Sequence, residues 1–391
     1  MSLVTSDKFT HDYMRRKEVN TLTLEQAENS NERELHIAVI NAMPEGAVRQ
    51  TPSQLAGPMA EAAGSRNVVL HTFYVDDIDY GAHTQYVIDN YHHLDKLDEI
   101  KPDIIIVSGS GDYDALLPAV KTILEHEGAT TKIFSCMAGH ALFEAKYDTS
   151  RQKLDEKKHG IFPMEKTNIT SPLTKGISSN FNEPFSRWYD ISWEQVLDAD
   201  MKLLIDSADN GVFLASSKDG ISEIFIQGHP EYSKESLLRE FNRDTICARF
   251  SEITHEENPR AYPKCPENYL ISKTHNEENN RGLSLVENYI DDIKSGTYDA
   301  EILKNHGAFK MPDHIEKSVM QSIPDTSASV TYHLFANIIK TVFEVTHFER
   351  GKPFMDELDP KNPCRLPEGE PLQSTLHLSP EDLAKSASLE I

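Results

Sequence analysis

Short unbroken apolar runs alternate with stretches of helical spacing through the first third of the chain. Residues 35–43 (LHIAVINAM) form a continuous apolar run, which predicts a strand buried on both faces. Residues 53–63 have helical spacing, and 67–75 (NVVLHTFYV) predict the next strand. A third strand is expected in 101–111 (KPDIIIVSGSG), closing on a glycine-rich turn, with a helix over 115–127 and a fourth strand in 131–136 (TKIFSC). This alternation predicts an α/β fold, a parallel sheet flanked by helices whose ligands gather at the carboxyl ends of the strands.

The pattern changes after residue 200. Three short apolar segments between 201 and 229 (MKLLIDSA, GVFLASS, SEIFIQGH) are joined by Asn210-Gly211 and Asp219-Gly220, so hairpin additions are expected. Residues 251–329 are polar and lack capping signals, and helical spacing resumes over 330–345. The last forty or so residues, rich in Pro, Glu, Asp and Ser, read as a partly flexible extension. No internal repeat is present.

Charge narrows the partners. A formal charge of -24 opposes encounters with nucleic acid or an anionic membrane. No apolar run approaches the roughly 18 residues that cross a bilayer, and the N-terminus shows no signal-peptide core, so a cytoplasmic protein is expected. Cys136, Cys247, Cys265 and Cys364 fit no disulfide or metal spacing, as suits a reducing compartment, and the Asn168 sequon is expected to stay unglycosylated.

Cys136 carries the first candidate chemistry. It falls between a predicted strand and an apolar helical pattern (IFSCMAGHALFEA), where a helix N-terminus would stabilise its thiolate. An isolated cysteine at a strand end is more often a core residue. The second motif, Gln227-Gly228-His229-Pro230-Glu231, shifts that balance: His is the usual base for a Cys nucleophile, and a carboxylate two residues on can orient the ring. Glu240 and Arg243 lie on one face of a predicted helix, as an amino-acid zwitterion requires, although an ordinary surface pair has the same spacing. Lys146, Arg151, Lys153, Lys157 and Lys158 make a basic stretch in an acidic chain. It is either a solvated loop or a contact for coenzyme A phosphates.

Taken together, these motifs resemble the homoserine O-succinyltransferase and O-acetyltransferase family, which has the class I glutamine amidotransferase-like (flavodoxin-like) fold. The elbow reads Phe-x-Cys-x-Ala, whereas amidotransferases themselves have Gly-x-Cys-x-Gly. AVINAMP (38–44), Lys157 and Gly160, Ser186-Arg187-Trp188, GHPEY (228–232) with Glu240 and Arg243, CPENYL (265–270) and YHLFANII (332–339) carry the likeness further. It implies an N-terminal arm (1–30), a catalytic domain (31–275), an insertion (276–327), a closing helix (328–348) and a C-terminal extension (349–391).

The resemblance implies an acyl-CoA-dependent O-acyltransferase acting on homoserine or a related hydroxy amino acid. Cys136 would be the nucleophile, His229 the base and Glu231 its orienting carboxylate. Backbone N–H groups of Met137 and Gly46 would form the oxyanion hole. Lys157, Ser186, Arg187, Glu240 and Arg243 would bind substrate. Acyl-CoA is a co-substrate; no bound cofactor and no metal is expected, and a homodimer is compatible with the reading. The chain departs from the family after Met43-Pro44, where Glu45-Gly46-Ala47-Val48-Arg49 replaces a lysine pair and Thr-Glu. It departs again at Tyr113, where the family has Gly or Glu. Asp112 and Asp114 beside Tyr113 would repel a succinyl carboxylate, which predicts acetyl-CoA over succinyl-CoA. Two other classes stay open: a hydrolase or amidotransferase working through the same acyl-enzyme, and a binding protein that kept the fold.

Overall fold

The computed structural model describes residues 2–16, 18–22, 33–64, 67–270, 277–305, 309–323 and 328–367. Among the described residues twelve strands make one sheet: β1 (Ser2–Thr5), β2 (Thr21–Leu22), β3 (Glu34–Asn41), β4 (Asn67–Tyr74), β5 (His92–His93), β6 (Ile104–Val107), β7 (Thr131–Ser135), β8 (Gln152–Lys166), β9 (Asn180–Asp190), β10 (Lys202–Asp206), β11 (Leu214–Ser216) and β12 (Glu223–Ile226). Their order is β2-β1-β4-β3-β6-β7-β12-β11-β10-β8-β9, with β5 also pairing β4. The segment from β2 to β12 is parallel, including the β7–β12 pair, and the strands beyond it are antiparallel.

The four apolar runs become β3, β4, β6 and β7 because both faces of each are covered. Leu35, Ile37 and Val39 of β3, with Ile104, Ile106 and Ile133, face helices Thr51–Ala62 and Ala328–Val345. Ala38 and Ile40, with Ile105, Val107 and Phe134, face helices Tyr113–Glu125 and Met137–Tyr147. The period-two alternation of a strand thus feeds two cores. The hairpin segments after residue 200 also form as expected, β10–β11 and β11–β12 being antiparallel.

Four regions differ from their sequence reading. Residues 2–22, expected as an arm, supply two strands and helix Lys8–Arg16; Leu3 pairs with Val68 and is fully buried. Residues 152–166 and 180–190, not anticipated as strands, form a long antiparallel hairpin in which Gly160 opposes Phe185. The polar stretch after 251 contains helices Glu277–Lys294, Asp299–Asn305 and Asp313–Gln321. Its Val286, Tyr289 and Ile293 form a sparse stripe packed with Leu237, Leu238 and Phe241 of helix Ser236–Ile253. Asp299 holds Arg249 of that helix through two 2.7 Å hydrogen bonds, a bidentate pairing that fixes the insertion on it. In the C-terminal extension, residues 349–367 run back over the sheet: Thr130 Oγ1 donates to Pro353 O at 2.7 Å, and Cys364 packs on the core. The rest of the expected flexible extension, 368–391, lies outside the described residues. Among the described residues no helix is long and apolar enough to cross a membrane.

Candidate active site

The sheet delivers Cys136 to its carboxyl edge on a sharp turn. β7 ends at Ser135, Cys136 takes φ 50° and ψ -113°, and helix Met137–Tyr147 begins at once. The Cys136 N–H still donates to Ile226 O at 2.7 Å, so the ladder with β12 runs up to this cysteine. Gly139 lets the helix descend onto that strand: a Cβ there would lie 2.2 Å from the Phe225 ring. Phe134 and Ala138, the residues that replace the amidotransferase glycines, are fully buried.

His229 and Glu231, expected from the sequence as base and orienting carboxylate, lie together beside Cys136. The His229 N–H donates to Pro184 O at 3.0 Å, fixing the loop after β12 against β9. Its Nδ1 lies 2.8 Å from Glu231 Oε1, and the ring is also hydrogen-bonded to Cys136. Burial opposes charging of this imidazole, but the Glu231 carboxylate and the Cys136 sulfur together prevail and hold its pKa well above the usual histidine range. The arrangement favours an imidazolium beside the Cys136 sulfur. Glu183, on β9, is fully buried, and neither of its carboxyl oxygens has a hydrogen-bond partner. Burial first, then the Glu231 charge, raises its pKa well above the carboxylate range, which favours its neutral form.

Tyr232 joins the triad to the predicted amino-acid site. Its ring stacks on His229 with centroids 4.2 Å apart and an 18° interplanar angle, and its hydroxyl donates to Glu240 Oε1 at 3.1 Å. Arg243 Nη2 is 3.8 Å from the same oxygen, and Arg243 also donates to Asp244 through Nε and Nη2 at 2.9 and 2.8 Å. Lys157 Nζ donates to Asp244 Oδ2 at 2.7 Å, while Ser186 hydrogen-bonds Glu240 and lies 3.2 Å from His159 Nδ1. Burial, then the Lys157 charge, lowers the His159 pKa to about 4, so this imidazole is neutral. Lys157, Ser186, Glu240 and Arg243 thus form one cluster beside the triad. Tyr232, His159 and Asp244 belong to it too. For Tyr232 the sequence signal is its place at the end of the GHPEY segment.

Arg187 is placed differently. It is 3 % exposed, donates through Nη2 to Asp190 (3.0 Å) and Asn210 O (2.8 Å), and stacks on Phe185, with Nε and Nη1 unpartnered. It interacts electrostatically with Cys136 and makes no hydrogen bond or ion pair with the Glu240 cluster among the described residues. The basic stretch disperses: Lys146 pairs with Glu223, Lys157 with Asp244, and Lys158 donates to Asp209 O. No common phosphate surface results.

Asp112 caps helix Tyr113–Glu125, its Oδ1 accepting from the N–H groups of Asp114 and Ala115 at 3.0 and 3.1 Å, and both aspartates are exposed. The charge barrier expected there is therefore not built. The Tyr113 hydroxyl donates to Glu144 at 2.7 Å. Met137 opens the elbow helix, so its N–H belongs to the unpaired first turn, as an oxyanion donor must. Gly46 lies on an exposed turn after β3 with nothing within 4 Å of a Cβ placed there. Among the described residues no group of His, Cys, Asp or Glu is arranged to hold a metal.

Residues 3–348 match the family described as "HTS: Homoserine O-succinyltransferase". A homoserine O-succinyltransferase of Thiobacillus denitrificans is 29% identical over 368 residues, covering 91% of this chain and 97% of the relative. One from Nitrosococcus oceani is 26% identical over 373 residues, covering 93% and 98%. Among solved structures, a glutamine amidotransferase of Methylobacillus flagellatus superposes with a TM-score of 0.39 at 12% identity, over 79% of this chain and 95% of that one. A glutamine amidotransferase of Thermotoga maritima gives 0.36, at 11% identity, over 70% and 99%. Those likenesses are loose, and the assignment rests on the sequence match. The chain belongs to the homoserine O-succinyltransferase family and is an enzyme of the homoserine O-acyltransferase type.

Proposed function

We propose that this protein transfers a succinyl group from succinyl-CoA to the hydroxyl of homoserine through a thioester on Cys136. The observation that carries the reading is the continuity of two sites: the Cys136–His229–Glu231 triad touches, through Tyr232, a carboxylate–guanidinium cluster suited to an amino-acid zwitterion. The Cys136 thiolate attacks the thioester carbonyl, the elbow N–H groups take the oxyanion, and coenzyme A leaves with the proton from His229. The imidazole, now neutral and oriented by Glu231, removes the homoserine hydroxyl proton. The alkoxide attacks the acyl-enzyme and releases Cys136. Glu240 receives the ammonium and Arg243 the α-carboxylate of the acceptor.

The donor assignment departs from the sequence expectation. The sequence favours acetyl-CoA because Asp112 and Asp114 would repel a second carboxylate, but Asp112 is engaged as a helix cap and both are exposed. With that ground gone, the names of the relatives favour succinyl. The reading keeps the expected cytoplasmic location.

Intact-mass measurement tests it. Enzyme mixed with succinyl-CoA alone should acquire one succinyl group on Cys136, and homoserine should discharge it as O-succinylhomoserine. A higher kcat/KM with acetyl-CoA than with succinyl-CoA overturns the donor; absence of any acyl adduct under single-turnover conditions overturns the mechanism.

A further inference from the structure

Some guanidinium groups in this acidic protein have no ion-pair partner among the described residues. Arg151, between helix Met137–Tyr147 and β8, makes no ion pair and no hydrogen bond among the described residues, and its Nη1 is buried without a partner. Its guanidinium carbon lies 3.6 Å from the Tyr113 ring centroid and 3.8 Å from that of Tyr189. Two rings hold one planar cation by its faces. That mode of fixation occupies none of its N–H donors, which all point outward in the guanidinium plane. A half-buried, unpaired guanidinium held between two rings is well formed to receive a carboxylate in a bidentate way.

Its position relates it to the nucleophile. The turn after β6 begins at Gly109, where a Cβ would lie 3.9 Å from Cys136 Cβ, and leads four residues later to Tyr113. The Tyr113 hydroxyl lies 3.4 Å from the carbonyl of His140, one helical turn beyond Cys136. The Arg151 charge contributes to holding His140 neutral, after burial and together with Arg187. One turn of helix advances about 5.4 Å, close to the reach of a four-carbon diacid chain attached at the sulfur.

We infer that Arg151, clamped between Tyr113 and Tyr189 and lacking an acidic partner, receives the distal carboxylate of the donor acyl group and so selects a dicarboxylic acyl-CoA. This rests on the acyl-enzyme reading above and names the residue that makes succinyl the preferred acyl group. The same chemistry would bind a coenzyme A phosphate, which all acyl-CoA donors share; the test separates the two.

Acyl-enzyme formation is measured with succinyl-CoA and with butyryl-CoA, whose chain is similar but uncharged, for the wild type and for Arg151→Met and Arg151→Lys. The succinyl/butyryl ratio of kcat/KM should fall in Arg151→Met by about 10- to 100-fold, the range for hydrogen bonds to a charged group. Arg151→Lys should keep part of the ratio, having charge without the planar fork, and it decides the matter if the Met variant does not fold. An unchanged ratio, or an equal loss with both donors, overturns the inference: the second outcome assigns Arg151 to a coenzyme A phosphate or to packing. Failure of the wild type itself to take succinyl from succinyl-CoA overturns the donor reading, and is seen before any variant is made.

Discussion

The Tyr232 ring lies nearly parallel over the His229 imidazole at 4.2 Å while its hydroxyl donates to Glu240. One side chain therefore touches both the base and the amino-acid cluster. Tyr232→Phe should keep the stack and lose the bond, raising the KM for homoserine by about 10-fold, from the lower end of the range for a hydrogen bond to a carboxylate. Acyl-enzyme formation should hardly change. Steady-state rates at varied homoserine, beside a mass assay of the first half-reaction, check both statements.

Cys136→Ser should abolish turnover without unfolding the chain, since Cys247, Cys265 and Cys364 all lie away from the triad and burial raises the pKa of each. His229→Ala should still form acyl-enzyme slowly at high pH, where the thiol ionises unaided, yet fail to discharge it. Rapid-quench measurement of the two half-reactions separates these roles.

Arg243 spends Nε and Nη2 on Asp244, leaving Nη1 for a carboxylate. Arg243→Lys keeps a charge but cannot hold Asp244 and substrate together, so homoserine binding should weaken by about 1.5 to 3 kcal/mol. The readout is KM for homoserine, with the succinyl-CoA dependence as control.

Acid sensitivity should originate far from the catalytic centre. His36 and His71 stack on adjacent strands with ring nitrogens 3.0 Å apart. Burial, with the Arg350 charge and the neighbouring imidazoles, lowers their pKa to about 3 and about 4. Both values lie below the unfolded one, so the unfolded chain binds more protons as pH drops. The stability these rings contribute is complete above about pH 6.5 and lost as pH falls through their folded values. Urea unfolding at pH 7 and pH 5 should differ by at most about 1–2 kcal/mol per histidine. His71→Phe should flatten that dependence.

Legibility in the sequence followed how strongly each segment's own pattern determined its fate. β3, β4, β6 and β7 could be read because burial on both faces leaves nearly every position apolar, as in the wholly buried IIIV of β6. β8 could not: its lysines and glutamates are satisfied singly by Asp244, Asp209 O and Lys264, partners distant in sequence. β1 is four residues long, too short for a period to register. The insertion helices hide a sparse stripe among Asn, Glu and Asp, made sufficient by contacts such as Tyr289 to Asn242 at 2.6 Å. In the site, Cys136 and His229 were legible because each sits in a local motif. Arg151, His159 and Asp244 take their roles from strands and helices that meet only in the folded chain.

The left-handed turn at Cys136 sets catalysis against durability. A non-glycine residue at φ 50° and ψ -113° carries strain of about 1–3 kcal/mol, which the surrounding β7–β12 ladder and the elbow helix must hold in place. Glycine would adopt that geometry without the Cβ penalty, and Gly139 already admits the tight approach of the helix. Cys136→Gly should therefore melt at a higher temperature than the native protein while transferring no acyl group. Thermal unfolding of the two side by side measures the difference. Selection for heat resistance alone would drive this position away from cysteine; on the proposed mechanism, a less robust molecule is maintained for the sake of one correctly aimed sulfur.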